Sequence, residues 1–141
     1  MCLDNMSNRY TNTASCVDKL YREYLKHPKL IVAVDFDSTV YDYEQTGDTY
    51  EDTWAVLKRC QDLGFYLVCY TCSAPERYGF IYDYFYTHGI TIHGINCNVL
   101  PPPANWGPDA KIYYNIFLED KSGLGQTLEI LETLLTKIEN R

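Results

Sequence analysis

Residues 30–39 of this chain read LIVAVDFDST, and this stretch decides the fold. Its first half, residues 30–34, is a continuous apolar run, which is typical of a strand buried on both faces of a parallel sheet. The stretch then turns polar, with Asp35 and Asp37 separated by Phe36. Because side chains alternate along extended chain, we expect the two carboxylates on one side and the phenyl ring on the other.

Three further segments of the chain are predicted to be strands, at residues 65–70, about 90–95 and about 113–118. Helical spacing of apolar residues predicts helices around and between them. Strands that alternate with helices favour parallel pairing, so we expect a Rossmann-like, three-layer α/β fold with a sheet of about four strands. The helices are predicted between Ser15 and Pro28, from Trp54 to Gly64, from Ser73 to Thr87, and from Leu124 to Ile138.

Length and composition limit the class of protein. The chain has 141 residues and 46% hydrophobic residues, which suits one domain with one core. We predict a flexible segment over residues 1–14, which lacks periodicity, and one catalytic domain over residues 15–141. No segment has the pattern of a membrane span or an export signal. The six cysteines are therefore expected as free thiols in a cytoplasmic protein.

Polar and acidic residues follow several predicted strands, at the edge where α/β sheets bind ligands. Asp35 and Asp37 follow the first strand, Thr71 the second, and Glu119 and Asp120 the last. Such carboxylates repel one another unless a cation lies between them or one holds a proton. Carboxylate oxygens without His or Cys favour Mg²⁺ over zinc, and Mg²⁺ implies a phosphate group. One carboxylate can attack a phosphoryl group while a second transfers the proton.

The order and spacing of these residues resemble the haloacid dehalogenase superfamily of phosphohydrolases. The resemblance covers about residues 30–125 and implies that superfamily's fold. The intervals between motifs leave little or no room for a cap domain, so we expect an open site unless residues 41–48, the loop at 97–109 or a second subunit closes it. The four motifs are Asp35-x-Asp37-x-Thr39, then Thr71, then Lys111, then Glu119-Asp120.

The resemblance implies catalytic and metal-binding roles for the acidic residues. Asp35 would be the nucleophile and a Mg²⁺ ligand. Asp37 would be the general acid and base, and would also bind the metal through its backbone carbonyl. Asp120 would bind Mg²⁺ directly, whereas Glu119 would assist through a water molecule or a hydrogen bond.

The resemblance also implies a set of phosphate-binding groups. Thr71 and Lys111 would hold the phosphoryl group, with Arg77 or Lys121 as alternatives to Lys111. The hydroxyl groups that follow the first two aspartates are further candidates, namely those of Ser38 and Thr39.

Together these features predict a Mg²⁺-dependent phosphatase that hydrolyses phosphomonoesters through an aspartyl-phosphate. Superfamily members that keep a stable phospho-aspartate often carry Thr at the second acidic position, so Asp37 indicates hydrolysis. The net charge of −7 argues against many contacts to nucleic-acid phosphates, so a small metabolite such as a nucleotide is the expected substrate.

Three other functions remain open from the sequence. A polynucleotide-end phosphatase would also suit an uncapped site, and a catalytically silent module could keep the phosphate pocket. Cys69 and Cys72 form a C-x-x-C pair between a strand and a helix, which is where a thioredoxin-like redox pair lies.

Aromatic residues are concentrated in the third predicted helix. Tyr82 and Tyr86 lie four residues apart, so they are expected to share one face and pack on the sheet. Tyr78 and Tyr84 are expected at the rim.

Overall fold

A computed structural model describes residues 9–141. Short 3-10 turns occur at Arg9–Thr11 and at Pro75–Arg77. No helix in the described part of the chain is long and apolar enough to cross a membrane. The elements are, in order, α1 (Thr13–Lys26), β1 (Ile31–Val34), α2 (Glu51–Asp62), β2 (Tyr66–Cys69), α3 (Tyr78–Thr87), β3 (Gly94–Ile95), β4 (Ile116–Leu118) and α4 (Leu124–Glu139).

The four strands form one parallel sheet in the order β3-β2-β1-β4. In β1, Val32 lies opposite Leu67 of β2 and opposite Ile116 of β4. β1 is therefore an inner strand, and its carboxyl end lies beside those of β2 and β4. This arrangement confirms the predicted Rossmann-like, three-layer α/β class.

Alternate residues of β1 pack into two different clusters, as expected for a strand that is covered on both faces. Val32 and Val34 face the helices, and both are fully buried. Ile31 and Ala33 face a cluster that includes Val99, Ile112 and Tyr114, in the long segment between β3 and β4. The helix residues of the first cluster include Leu20 of α1, Leu57 of α2, Ile81 and Phe85 of α3, and Leu131 of α4.

The first helix begins earlier than the sequence predicted. Asn12, and not Ser15, is the N-cap of α1, and its side chain accepts a hydrogen bond from the Ser15 N–H at 3.2 Å. Residues 9–14 of the predicted flexible segment thus lie in a 3-10 turn, the cap and the first turn of α1, whereas residues 1–8 are outside the described residues.

The core-facing side of α3 differs from the prediction. Ile81 and Phe85 occupy it and are fully buried. Tyr82 and Tyr86 are instead 42% and 73% exposed. Ile81 and Phe85 can be buried at no polar cost, whereas the hydroxyl groups of Tyr82 and Tyr86 need hydrogen-bond partners.

Candidate functional site

Residues 35–39, the polar half of the LIVAVDFDST segment, form a tight turn at the carboxyl end of β1. The Asp35 N–H donates to the Leu118 carbonyl of β4 at 2.9 Å, which extends the sheet by one bond. Phe36 is fully buried, while Asp35 and Asp37 are half-buried, as the alternation predicted. The chain then reverses, because the Tyr41 N–H donates back to the Phe36 carbonyl at 3.0 Å.

Asp35 lies close to the acidic pair that follows β4. Its pKa is raised to about 6, mainly by burial and further by the carboxylates of Asp120 and Glu119. A hydrogen bond from the Phe36 N–H to Asp35 Oδ1, at 2.8 Å, works in the opposite direction. Burial and the neighbouring carboxylates therefore both disfavour the charged form of Asp35.

Thr39 fixes the position of Asp120. The Asp120 N–H donates to Thr39 Oγ1 at 3.1 Å, and the Thr39 hydroxyl donates to Asp120 Oδ1 at 3.4 Å. Thr39 is fully buried. Its hydroxyl is thus engaged within the protein, so Thr39 positions a carboxylate and is a poor candidate for the predicted contact with phosphate.

The donor set of Asp35 and Asp120 fits Mg²⁺. Mg²⁺ commonly uses one or two carboxylates and completes its shell with water and phosphate oxygens. A cation beside Asp35 would offset both the burial of its charge and the repulsion from the neighbouring carboxylates. Glu119 is turned toward its own loop, where Oε2 accepts from the Ser122 hydroxyl at 2.6 Å. Within residues 9–141, no group of three or more His, Cys, Asp or Glu side chains is placed to hold a metal.

Asp37 is paired with a cation that the sequence offered only as an alternative. Arg77 Nη1 and Nη2 donate to the two carboxylate oxygens of Asp37, both at 2.8 Å. Nη1 also donates to Ser73 Oγ at 2.9 Å. The hydrogen bond with Asp37 raises the pKa of Arg77. Such a two-point pair holds both side chains in a fixed orientation.

Three aromatic rings surround the Arg77 guanidinium. Its Cζ atom lies 5.1 Å from the ring centre of Phe36, 5.4 Å from that of Tyr41 and 6.0 Å from that of Phe80. A cation is attracted to the faces of aromatic rings. The rings and the hydrogen bonds to Asp37 therefore both stabilise the position of the Arg77 side chain.

Thr71 joins this group through Ser73. Thr71 Oγ1 lies 3.1 Å from Ser73 Oγ and accepts from the Ser73 N–H at 3.2 Å. Asn96 holds the Thr71 backbone on both sides, since Oδ1 accepts from its N–H and Nδ2 donates to its carbonyl, each at 2.7 Å. A continuous polar chain thus connects Thr71, Ser73, Arg77 and Asp37.

Ser38 faces a different neighbourhood. It has a positive φ of 61° and borders a cavity of about 490 Å³ between residues 48–53 and α4. Acidic side chains line that cavity, among them Asp48, Glu51 and Asp52. Such a lining repels a phosphate group, which does not favour the predicted phosphate contact for Ser38.

Lys111 lies outside the cluster that contains Asp37 and Arg77. It is exposed, and its Nζ lies 5.3 Å from the Tyr114 ring centre. Because β4 begins at Ile116 and runs toward Asp120, Lys111 precedes the amino end of this strand, away from the acidic cluster. Lys121 directly follows Asp120 and is also exposed.

The C-x-x-C pair is split between two environments. Cys69 is fully buried within β2, and burial strongly raises the pKa of its thiol. Cys72 is exposed, and both are free thiols. A redox pair needs an accessible thiolate, so these features argue against the thioredoxin-like alternative.

The raised pKa of Asp35 predicts that the stability of the metal-free protein depends on pH. The folded-state pKa of about 6 exceeds the ordinary value of 3.8, so the stabilising contribution of Asp35 is complete below the ordinary value and is lost as the pH rises through about 6. In EDTA, we expect Asp35→Asn and wild type to melt at similar temperatures near pH 4, with the variant increasingly more stable toward pH 7. Mg²⁺ at pH 7 should raise the melting temperature of the wild type more than that of the variant. A difference in melting temperature that does not change with pH would contradict this account.

The described elements define a Rossmann-like α/β protein with a polar site at the carboxyl ends of its strands. Among solved structures, a conserved protein from Bacteroides thetaiotaomicron is similar, with a TM-score of 0.58 and 19% sequence identity. The match covers 80% of this chain and 93% of that chain. This likeness shows a shared fold alone. No protein-family model and no curated protein matches the chain.

Proposed function

We propose that this protein is a Mg²⁺-dependent phosphatase that hydrolyses small phosphomonoesters through an aspartyl-phosphate on Asp35. One observation carries the proposal. The carboxyl end of β1 places Asp35 beside Asp120 and, two residues on, Asp37 in a two-point pair with Arg77. A nucleophile, a partner for a metal, a proton-transfer group and a cation are thereby combined at one sheet edge.

The first half of the reaction transfers the phosphoryl group to the protein. A carboxylate oxygen of Asp35 forms a bond to phosphorus as the bond between phosphorus and the leaving-group oxygen breaks. Asp37, in its protonated form after Arg77 has moved to the phosphoryl group, gives a proton to that oxygen, which departs as an alcohol. With a pKa of about 6, Asp35 is mostly ionised at neutral pH and can act as the nucleophile.

The second half regenerates the protein. Asp37, now a carboxylate, takes a proton from a water molecule whose oxygen attacks phosphorus. The bond between phosphorus and Asp35 breaks, which releases inorganic phosphate and restores the Asp35 carboxylate. The atoms and charges of the cycle balance with water as the only co-substrate.

Asp35 and Asp120 are the residues that would hold Mg²⁺. The ion would supply positive charge next to the phosphoryl oxygens, which offsets the negative charge of the surrounding carboxylates. Thr39 contributes by fixing Asp120 from inside the fold.

Arg77 replaces Lys111 as the cation for the phosphoryl group. A guanidinium carries five N–H donors, and the hydrogen bonds to Asp37 and Ser73 use three of them. The Nε–H and one Nη2–H remain for phosphoryl oxygens. Asp37 must turn to the leaving-group oxygen to act as an acid, so we infer that Arg77 passes from Asp37 to the phosphoryl group as the substrate binds.

Substitution of Arg77 tests whether Arg77 or Lys111 is the cation that binds the phosphoryl group. We expect Arg77→Met to lower kcat/KM by about 100-fold, the scale of losing a charged contact in the transition state. The matched control Lys111→Met removes the same kind of charge outside the cluster and should stay within about 2-fold of wild type. A large loss in Lys111→Met with normal activity in Arg77→Met would overturn the assignment.

Phosphate release from a panel of phosphomonoesters tests the function itself. We expect turnover with Mg²⁺, loss of turnover in EDTA, and recovery when Mg²⁺ is restored. If the purified protein binds inorganic phosphate but turns over no member of a broad panel, it is a silent binding module. If it acts only on nucleic-acid ends, with binding that collapses as salt rises, the substrate class is wrong.

A further inference from the structure

Resting on the proposed function, we propose that the leaving group of the substrate carries a flat aromatic ring that stacks on an aromatic shelf beside Asp37. The shelf consists of Tyr41, Tyr43 and Phe80. The proposal narrows the substrate class from small phosphomonoesters to those whose alcohol bears an aryl or heteroaryl ring, such as a nucleobase.

The proton-transfer role of Asp37 fixes where the leaving group lies. Asp37 gives its proton to the leaving-group oxygen, so that group must lie against the Asp37 carboxylate. The Asp37 carboxylate is paired with Arg77, and aromatic rings lie around that guanidinium. The Arg77 Cζ atom is 5.4 Å from the Tyr41 ring centre and 6.0 Å from that of Phe80.

The shelf is exposed where a ligand could reach it. Phe80 is 46% exposed and Tyr43 is 62% exposed. Both lie near the Arg77 guanidinium, since the Phe80 ring centre is 6.0 Å from its Cζ atom and Tyr43 contributes to the raised pKa of Arg77. Tyr41 is half-buried and stacks on the buried Phe36 ring, with ring centres 5.1 Å apart and an angle of 9° between the planes. Tyr41 therefore has a rigid base, and Phe80 meets it edge-on at 5.5 Å and 87°.

This geometry favours an aromatic ring over an aliphatic chain. Rings gain from offset-stacked and edge-to-face contacts beyond the area that they bury, and each of the exposed rings offers such a contact.

Access to the shelf is open in the described residues. The chain between β1 and β2 contains α2 as its only helix, and the chain between β2 and β3 contains α3 and its leading turn. Neither interval holds an inserted domain that covers the shelf. We therefore expect a ring attached to the phosphorylated oxygen to lie over Phe80 while the phosphoryl group is at Asp35.

The test compares two phosphomonoesters of equal size and similar leaving-group chemistry, benzyl phosphate and cyclohexylmethyl phosphate. We expect kcat/KM for benzyl phosphate to be higher in the wild type, on the order of 10-fold, the scale of one stacking contact. Phe80→Leu, which keeps an apolar side chain but removes the ring, should reduce this preference to about 2-fold or less. Phe80→Tyr should retain it.

Tyr86 provides the matched control, because it lies on the same helix and is 73% exposed outside the shelf. Tyr86→Leu should leave the preference for benzyl phosphate unchanged. Equal rates on both esters in the wild type, or a preference that survives Phe80→Leu, would overturn the shelf while leaving the phosphatase intact. Absence of turnover on every phosphomonoester would instead overturn the proposed function, and with it this inference.

A second copy of this chain could also cover the aromatic shelf, and a separate measurement tests this alternative. Sedimentation of the wild type and of Phe80→Leu across a range of concentrations reports self-association. Association that depends on Phe80, together with equal rates on the two esters, would assign the shelf to an interface between copies and overturn the proposal.

Discussion

Asp35→Asn is expected to abolish phosphate release, with a loss of at least about 10⁴-fold in kcat, because an amide cannot form the bond to phosphorus. The fold should be retained. The Asn side-chain oxygen can still accept from the Phe36 N–H, as Asp35 Oδ1 does at 2.8 Å. Initial rates with Mg²⁺ give the loss, and circular dichroism with thermal melting checks the fold.

An exposed aspartate on α3 serves as the control for this substitution. Asp83→Asn removes the same charge outside the site and should keep the wild-type rate. Wild-type turnover in Asp35→Asn would show that another group attacks phosphorus, or that the activity belongs to a contaminant.

Phe36→Ala is expected to have the largest effect on stability of the substitutions considered, about 3–5 kcal/mol in the free energy of unfolding. Phe36 is fully buried and has ring contacts with Tyr41 at 5.1 Å, Tyr84 at 5.6 Å and Phe85 at 5.9 Å. Removing the ring leaves a cavity in the core, beneath the turn that carries the two site aspartates. Urea denaturation, with the slope compared between variants, measures the loss.

Phe80→Ala is the matched control for Phe36→Ala, since it removes the same ring from a position that is 46% exposed. Its cost should be about 1 kcal/mol or less, the usual range for partly exposed side chains. Similar losses in the two variants would mean that Phe36 does not anchor the turn as described.

Much of the fold follows from the sequence because buried parallel strands leave a strong pattern. The apolar run at residues 30–34 was enough to predict a strand there, and the strand spans Ile31–Val34. The end predicted for the second helix was also correct, since Gly64 follows α2 and has a positive φ of 79°. The start of α1 was missed because the Asn12 cap lies in a polar stretch with no periodic pattern around it.

The site was harder to predict than the fold. The positions of Asp35 and Asp120 follow from strand ends, which topology brings together. The pairing of Asp37 with Arg77 joins residues 40 positions apart, and no local pattern indicates which of several cations turns toward a given carboxylate. The strand after Lys111 begins at Ile116, later than the apolar pattern suggested.

A crystal structure with Mg²⁺ and fluoroberyllate, a mimic of a phosphoryl group on a carboxylate, tests the central claim most directly. We expect beryllium bonded to an Asp35 oxygen, Mg²⁺ bound by Asp35 and Asp120, and Arg77 in contact with the fluorides. Crystals in which both species are absent from these carboxylates, or in which the fluoroberyllate is attached to a different residue, would contradict the assignment of Asp35 as the nucleophile.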